Sequence, residues 1–581
     1  MTTKDELIAL INNGEWEKAK KVLDCYKNMQ NEQLDELAIC AAEIYLGLGD
    51  REKAYQYIAD GMKNNPNNYE LYFMLGNYYA DHNIDQAVLC YEMAAYYAKG
   101  TNDYEYLLRY YEEYKQYNET NVSPVSIVIV SYNSQAIMKS CIKTIQLYNP
   151  GTSYEIVVVD NNSTDGIREW LKEQKDIKLI CNDTNTGFAY ACNQGAEAAC
   201  KKNDIFFLNN DTLVPQNAIF WLRMGLYENK QVGATGSVTN YAGNGQRVEE
   251  NIADVEGWFQ YARKINIPMQ NAYEKKTSLI GFALLIKRHV FDRVGMFDLR
   301  FGKGNYEDND LGLRILQAGY LLNLCHNSFI YHFGSLGFRQ NDLREYAELL
   351  KENQQKIAEK WGFDIPRYMN VKTELIDFIS NEKNEDIHVL EVGCGLGATL
   401  ASILYQWPNA DVKGIEAEEK IASLGANYLD IRQGNIENSP LEYEEEYFDY
   451  IILGDTLEQV YDPEGILQKM LPLLKKDGSI IASISNVQHV SVLLPLLRGN
   501  FEYAETGIID KNHVRFFTLK SMVNMLKRNC FEIEKLVNIY REEDIIEQEK
   551  ELYSILAGLL GKQFEEQSNA YKYAFRARRI G

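Results

Sequence analysis

At 581 residues the chain is longer than one hydrophobic core organises, and at roughly 100–200 residues per domain it predicts three or four domains. A formal net charge of -23 repels phosphate backbones and anionic headgroups, which argues against nucleic acid or a membrane surface as partner. Hydrophobic residues at 46% exclude wholesale disorder, and no apolar run reaches the roughly 20 residues that span a bilayer.

The ten cysteines form no C-x-x-C pair and no zinc spacing, and the N-terminus does not resemble a signal peptide, so reduced thiols and a cytoplasmic location are expected. In chain order, three echoes come first: Gly14-Glu15-Trp16-Glu17-Lys18-Ala19, Gly49-Asp50-Arg51-Glu52-Lys53-Ala54 and Asn83-Ile84-Asp85-Gln86-Ala87. They recur about every 34 residues, as helix-turn-helix repeats do. Ala41 to Leu48 and Ala54 to Met62 carry helical apolar spacing, Pro66 interrupts, and Leu71 to Tyr79 resumes. The stretch 1–120 thus resembles a tetratricopeptide array. It predicts either a concave surface for a protein partner or a helical prop packed on the next domain.

From Pro124 the pattern becomes short β-rich runs between helices, Val125 to Val130, Glu155 to Val159 and Asp204 to Leu208, which predicts a mostly parallel α/β sheet. The first run ends in Ser131-Tyr132-Asn133-Ser134 and the second in Asp160-Asn161-Asn162-Ser163, at the strand edge where α/β ligands bind. Asn185-Thr186-Gly187-Phe188 then opens a helix that carries Asn193, and Asn209-Asn210-Asp211 ends an apolar strand. Farther on come Gly281-Phe282-Ala283, Val294-Gly295-Met296-Phe297-Asp298, Glu307-Asp308-Asn309-Asp310 and Tyr331-His332-Phe333-Gly334.

In this order the segments resemble a family 2 glycosyltransferase of the GT-A fold, of the rhamnosyltransferase-like branch. The resemblance implies an inverting transfer from a nucleotide-sugar. Ser131, Asn133, Asp160, Asn185, Gly187, Asn193 and Asn209 are then expected on the donor. Asp211, the one carboxylate left where the family reads D-x-D, is the expected ligand of Mn2+ or Mg2+, whose charge offsets that of the departing diphosphate. His332 is a second ligand or a hydrogen-bonded core histidine. Asp308 is the expected base for the acceptor hydroxyl, with Glu307 as a second catalytic candidate that orients the acceptor and Asp310 placed to cap a helix beginning at Leu311.

A polar helical stretch from Asn341 to Trp361 and the breaker Gly362 to Pro366 lead into a second α/β series. There Val389-Leu390-Glu391-Val392-Gly393-Cys394-Gly395-Leu396-Gly397 turns a strand through three glycines into a helix, a seat for a nucleotide-like cofactor, and Glu416 lies at ribose distance in sequence. That loop alone fits a dinucleotide equally well. The following Phe448 to Val460, Asp462-Pro463 and Leu473 to Ser479 resemble class I S-adenosylmethionine-dependent methyltransferases. The resemblance implies cofactor contacts at Glu391, Gly393, Gly395, Gly397, Glu416, Asn435 and Asp455. Gln459 stands where the family often has histidine. His513, in Asp510 to Phe517, is either the acceptor's base or a pin for the covering segment.

The expected fold is therefore multidomain: an all-α arm (1–120), an α/β GT-A domain (121–366) and a Rossmann-like α/β methyltransferase domain (367–581). The expected function is sugar transfer to a surface glycan or glycoprotein, flagellar or cell-surface, with methylation, on oxygen, of the same glycan. The competing expectation is a repeat-bearing scaffold whose catalytic domains only recognise partners.

Overall fold

Each echo in the N-terminal arm marks the turn inside a helix pair. Gly14 and Gly49 take left-handed φ values of 69° and 78°, which glycine adopts at little cost. Asp50 and Asn83 then cap the next helices by accepting from the backbone N–H of Lys53 and Gln86. Seven helices result among the described residues of this computed structural model, which cover 3–27, 34–149, 154–334, 343–541 and 547–580: Thr3–Asn12, Trp16–Lys27, Leu34–Gly47, Arg51–Asn64, Tyr69–Ala80, Ile84–Tyr97 and Tyr104–Tyr117. Their crossings need small residues. A Cβ on Gly76 would lie 2.3 Å from the Tyr91 ring, and one on Gly47 2.5 Å from Trp16.

The chain divides into two compact units, Met1–Ile365 and Pro366–Gly581. In the first, the arm is packed on an α/β part. Helix Ile84–Tyr97 is buried from Gln86 to Ala95, and helix Ala218–Leu226 is buried throughout. The two are joined by a Glu92–Arg223 ion pair of 2.8 Å whose side chains are 8% and 2% exposed. The Gln86 amide donates to the Met224 carbonyl, and Tyr72 meets Phe220 edge-on. This is the prop expected of the arm; its packing says nothing against a partner on its other faces.

Ten strands follow in this unit: β1 (Val125–Ser131), β2 (Tyr154–Asp160), β3 (Ile177–Cys181), β4 (Asp204–Asn209), β5 (Thr212–Leu213), β6 (Val232–Val238), β7 (Tyr273–Lys275), β8 (Ala283–Ile286), β9 (Leu321–Phe329) and β10 (Tyr331–His332). Eight form a sheet in the order β3-β2-β1-β4-β8-β6-β9-β7, while β5 and β10 make a separate ribbon. The sheet is less parallel than the sequence suggests. β3, β2, β1 and β4 run parallel, but β8 enters antiparallel between β4 and β6, and β7 is antiparallel to β9. A four-residue apolar strand carries no sign of its direction, since burial on both faces suits either ladder.

The second unit holds β11 (His388–Val392), β12 (Asp411–Glu416), β13 (Asp430–Gln433), β14 (Phe448–Gly454), β15 (Leu474–Ser485), β16 (Phe531–Tyr540) and β17 (Ala570–Arg579). Their order is β13-β12-β11-β14-β15-β17-β16, with only β17 antiparallel to its neighbours. The order reverses between β11 and β14, and at such a point two loops diverge and leave a crevice at the carboxyl edge. The helical stretch expected from Asn341 is seen as Leu343–Trp361; Asn341 and Asp342 lie outside the described residues.

Candidate functional sites

In the first unit a cleft of ≈ 490 Å³ opens beside β4 and β8. The antiparallel β8 builds its wall, because the Asn209 N–H donates to the Phe282 carbonyl at 2.8 Å and so sets Gly281-Phe282 beside the end of β4. Asn209, Glu307, Asp308 and His332 all line this cleft.

Asp211 and His332, 7% exposed each, meet across the β5/β10 ribbon with Oδ1 3.2 Å from Nε2. His332 Nδ1 lies 3.0 Å from the Tyr241 carbonyl, an acceptor only, so the proton belongs on Nδ1 and the Nε2 lone pair faces the carboxylate. Buried Nε2 has no hydrogen-bonded partner among the described residues. A lone pair and a carboxylate oxygen that face each other fit a shared divalent cation, with the Tyr241 carbonyl orienting the ring as the outer partners of metal-bound histidines do. Among the described residues no group of three or more His, Cys, Asp or Glu side chains gathers for a metal.

Glu307 and Asp308 open helix Glu307–Gln317 after two consecutive left-handed residues, Asn305 and Tyr306. Such a conformation costs a non-glycine residue about 1–2 kcal/mol. It is held by Asn353, whose amide donates to the carbonyls of Phe301 and Gly304. Asp308 accepts from the N–H groups of Gly281 (2.9 Å) and Asn309 (2.8 Å). Glu307 is buried with Oε2 unpartnered, and burial, then the neighbouring Asp308, push its carboxyl well above the usual range. Asp310 is not a cap: the helix begins at Glu307, and Asp310 accepts from Arg314 and from the Trp361 indole while pairing with Lys360.

Of the expected donor residues only Asn209 lines this cleft; Ser131, Asn133 and Asp160 stand at the ends of β1 and β2, while Asn185, Gly187 and Asn193 lie on the loop and helix that follow β3. Asn133, at φ 46°, clasps the second loop, donating through its N–H to Ser163 and accepting from the Thr164 N–H. Ser131 and Asp160 are fully buried, each with one unpartnered oxygen; the other Asp160 oxygen takes Arg168 at 2.6 Å. Asn161, which sequence reasoning passed over, donates to Asn185 and to the Gly187 carbonyl and so joins that edge to the next loop. A Cβ on Gly187 would stand 2.4 Å from the Gly302 carbonyl, which is where the donor edge meets the acid-bearing loop. Asn193 is a strut instead, with both amide atoms bonded to the Phe297 backbone.

In the second unit a cleft of ≈ 810 Å³ lies at the β11/β14 crevice. Gly393, Glu416, Asn435 and Asp455 line it. Gly393, Gly395 and Gly397 have φ of 69°, 57° and 82°. A Cβ on Gly395 would sit 2.6 Å from the Tyr368 carbonyl, so the preceding segment closes on this loop. Glu416 accepts from the Gly395 and Glu418 N–H groups, which braces the loop while its carboxylate faces the cleft. Glu391 is fully buried under the loop and pairs with Lys372 at 3.0 Å.

Neither Lys372 nor Lys572 had a motif to announce it. Lys572, on the last strand, pairs with Asp455 at 2.6 Å, and although burial alone would raise the Asp455 carboxyl, the ammonium holds it below the usual range. His513 does not line the cleft: its buried ring meets the Ile508 carbonyl at 3.0 Å, while Asn512 and Val514 face inward. The ring is thus held by the backbone of the covering segment itself.

Residues 126–295 match the family description Glycosyl transferase family 2, and residues 364–536 match a methyltransferase domain. The glycosyltransferase AglE of Haloferax volcanii is 26% identical over 234 residues, 39% of this chain and 70% of that one. The malonyl-[acyl-carrier protein] O-methyltransferase of Acetivibrio thermocellus is 26% identical over 113 residues, 19% of this chain and only 39% of its own length. A solved structure of GalNAc-T7 with UDP, GalNAc and Mn2+ is 17% identical with a TM-score of 0.35, over 45% of this chain and 53% of that one.

Proposed function

We propose, from a chain that carries a family 2 glycosyl transferase domain and a methyltransferase domain, that it is a bifunctional enzyme that transfers a sugar with inversion and then methylates the same glycan on oxygen. Supporting the transferase half is the convergence of Asp211, His332, Asn209 and Asp308 on one side of the first unit. Asp308 takes the acceptor hydroxyl proton as that oxygen attacks the anomeric carbon, and the nucleoside diphosphate leaves from the opposite face. Asp211 and His332 would hold a divalent cation, whose positive charge would offset that of the departing diphosphate. Ser131, Asp160 and Asn185 hold the nucleoside end of the donor at the edge of β1 and β2.

In the second unit the left-handed glycines let a cofactor approach the backbone at the N-terminus of helix Ala398–Gln406, and Glu416 offers its carboxylate to a ribose. Bound there, S-adenosylmethionine supplies an electrophilic methyl group. Lys572 and Asp455 fix the cleft wall beside it.

The test is to incubate the purified chain with Mn2+ or Mg2+ and a panel of UDP-, GDP- and dTDP-sugars, with acceptor extracts, and to measure released nucleoside diphosphate. Release from one donor that Asp211→Ala abolishes supports the reading. Release that survives this variant, or none from any donor, favours the scaffold.

A further inference from the structure

The β5/β10 ribbon that carries the proposed metal ligands has a second face. His332 of this ribbon lines the cleft, whereas Leu213 does not and borders a different hollow. Leu213 and Pro215 there form the buried floor of a separate groove of ≈ 680 Å³. That lies within the range of roughly 300–1,000 Å³ typical of small-molecule sites. One wall is the end of helix Gln135–Tyr148 and the other is helix Val255–Ile265. The second helix cannot turn, because its inner face seats Trp258 flat on Phe329 at 5.2 Å.

The groove's chemistry is specific. Tyr148 and Phe259 stand at 5.7 Å and 61°, giving two aromatic surfaces at an angle. Around them are Gln216, Gln260, Glu256 and Arg263. The side chains of Glu256, Gln260 and Arg263 have no hydrogen bond or ion pair among the described residues. One carboxylate and one guanidinium balance, so the groove selects neither an anion nor a cation. Planar amide, carboxylate and guanidinium groups each offer paired hydrogen-bonding atoms that suit adjacent hydroxyls, and aromatic faces suit the C–H face of a pyranose. Gln216 is itself tied to Asn67 and Tyr97 of the arm, which sets the groove's rim.

We propose that this groove is a second carbohydrate-binding site, holding a neutral pyranose segment of the acceptor glycan beside the β5/β10 ribbon and outside the cleft that His332 lines. Its biological sense rests on the glycan-transfer reading, but binding here requires neither donor nor metal. The groove would grip the acceptor beyond the reacting sugar and raise the effective concentration of its end at Asp308.

The test is saturation-transfer NMR on the full chain, without metal or nucleotide, using cellotetraose, chitotetraose and maltotetraose, with a serine- and threonine-rich hexapeptide for comparison. Transfer to at least one tetrasaccharide is expected, with its Kd raised about tenfold in Phe259→Ala, raised also in the surface variant Gln260→Ala, and unchanged in Asp308→Asn. No transfer to any tetrasaccharide, binding by both groove variants as tight as that of the unaltered chain, or transfer to the hexapeptide alone overturns the proposal. Groove-dependent binding in a chain that releases no nucleoside diphosphate overturns the transferase reading and leaves the groove standing.

Discussion

Glu307 and Asp308 illustrate how two adjacent acids acquire different tasks. Asp308 is half-buried and accepts two backbone N–H bonds, whereas Glu307 has an unpartnered buried oxygen and a raised pKa caused by burial and by Asp308. A carboxyl whose folded pKa is raised stabilises the fold fully below its unfolded value, ordinarily 4.5, and loses that contribution as pH rises through the folded value. Glu307→Gln removes the titration and keeps the shape. The unfolding temperature of the first unit is therefore expected to fall less in this variant than in the wild type between about pH 5 and about pH 9. Asp308→Asn should lower kcat for sugar transfer by about 10²–10⁴-fold with donor affinity retained, measured by steady-state kinetics beside donor titration. Gly395→Arg meets the Tyr368 backbone and a positive φ; it should abolish S-adenosylmethionine binding by calorimetry and leave nucleotide release intact.

Among the elements, the arm and the first α/β part depend on each other. Helix Ala218–Leu226 has no exposed face, so it needs helix Ile84–Tyr97 as a cover, and the Glu92–Arg223 pair lies in that seam. Removing one partner of a buried pair leaves an uncompensated charge and costs about 3–5 kcal/mol. Glu92→Ala should destabilise the first unit by that order in denaturant titration and leave the second unit's transition in place. An unchanged midpoint would mean that water reaches Arg223 and the seam opens readily.

For the whole molecule, two compact units with separate clefts imply two ligand responses. A ligand stabilises only the unit that binds it, by about 2.7 kcal/mol at a concentration 100 times its Kd. Scanning calorimetry is expected to show S-adenosylmethionine raising one transition and Mn2+ with the proper nucleoside diphosphate raising the other. A single transition that both ligands shift together would contradict independent units.

Local chemistry made much of this legible without coordinates. The glycines at 393, 395 and 397 announce a loop that only positive φ can make, Asp50 and Asn83 announce helix starts, and both domain families follow from motif order. Some outcomes depended on residues far apart in the chain meeting. The antiparallel entry of β8, the pairing of Asp211 with His332, the reach of Lys572 from the last strand to Asp455, and the use of Asn193 and Asp310 as struts all belong to that class. Sequence by itself determined which loops turn and which residue types reach a strand edge, because φ preference and capping act within a few residues. Tertiary structure alone decided which of those side chains face a cleft and which are bonded inward, because that depends on the partner each buried polar atom meets across the sheet.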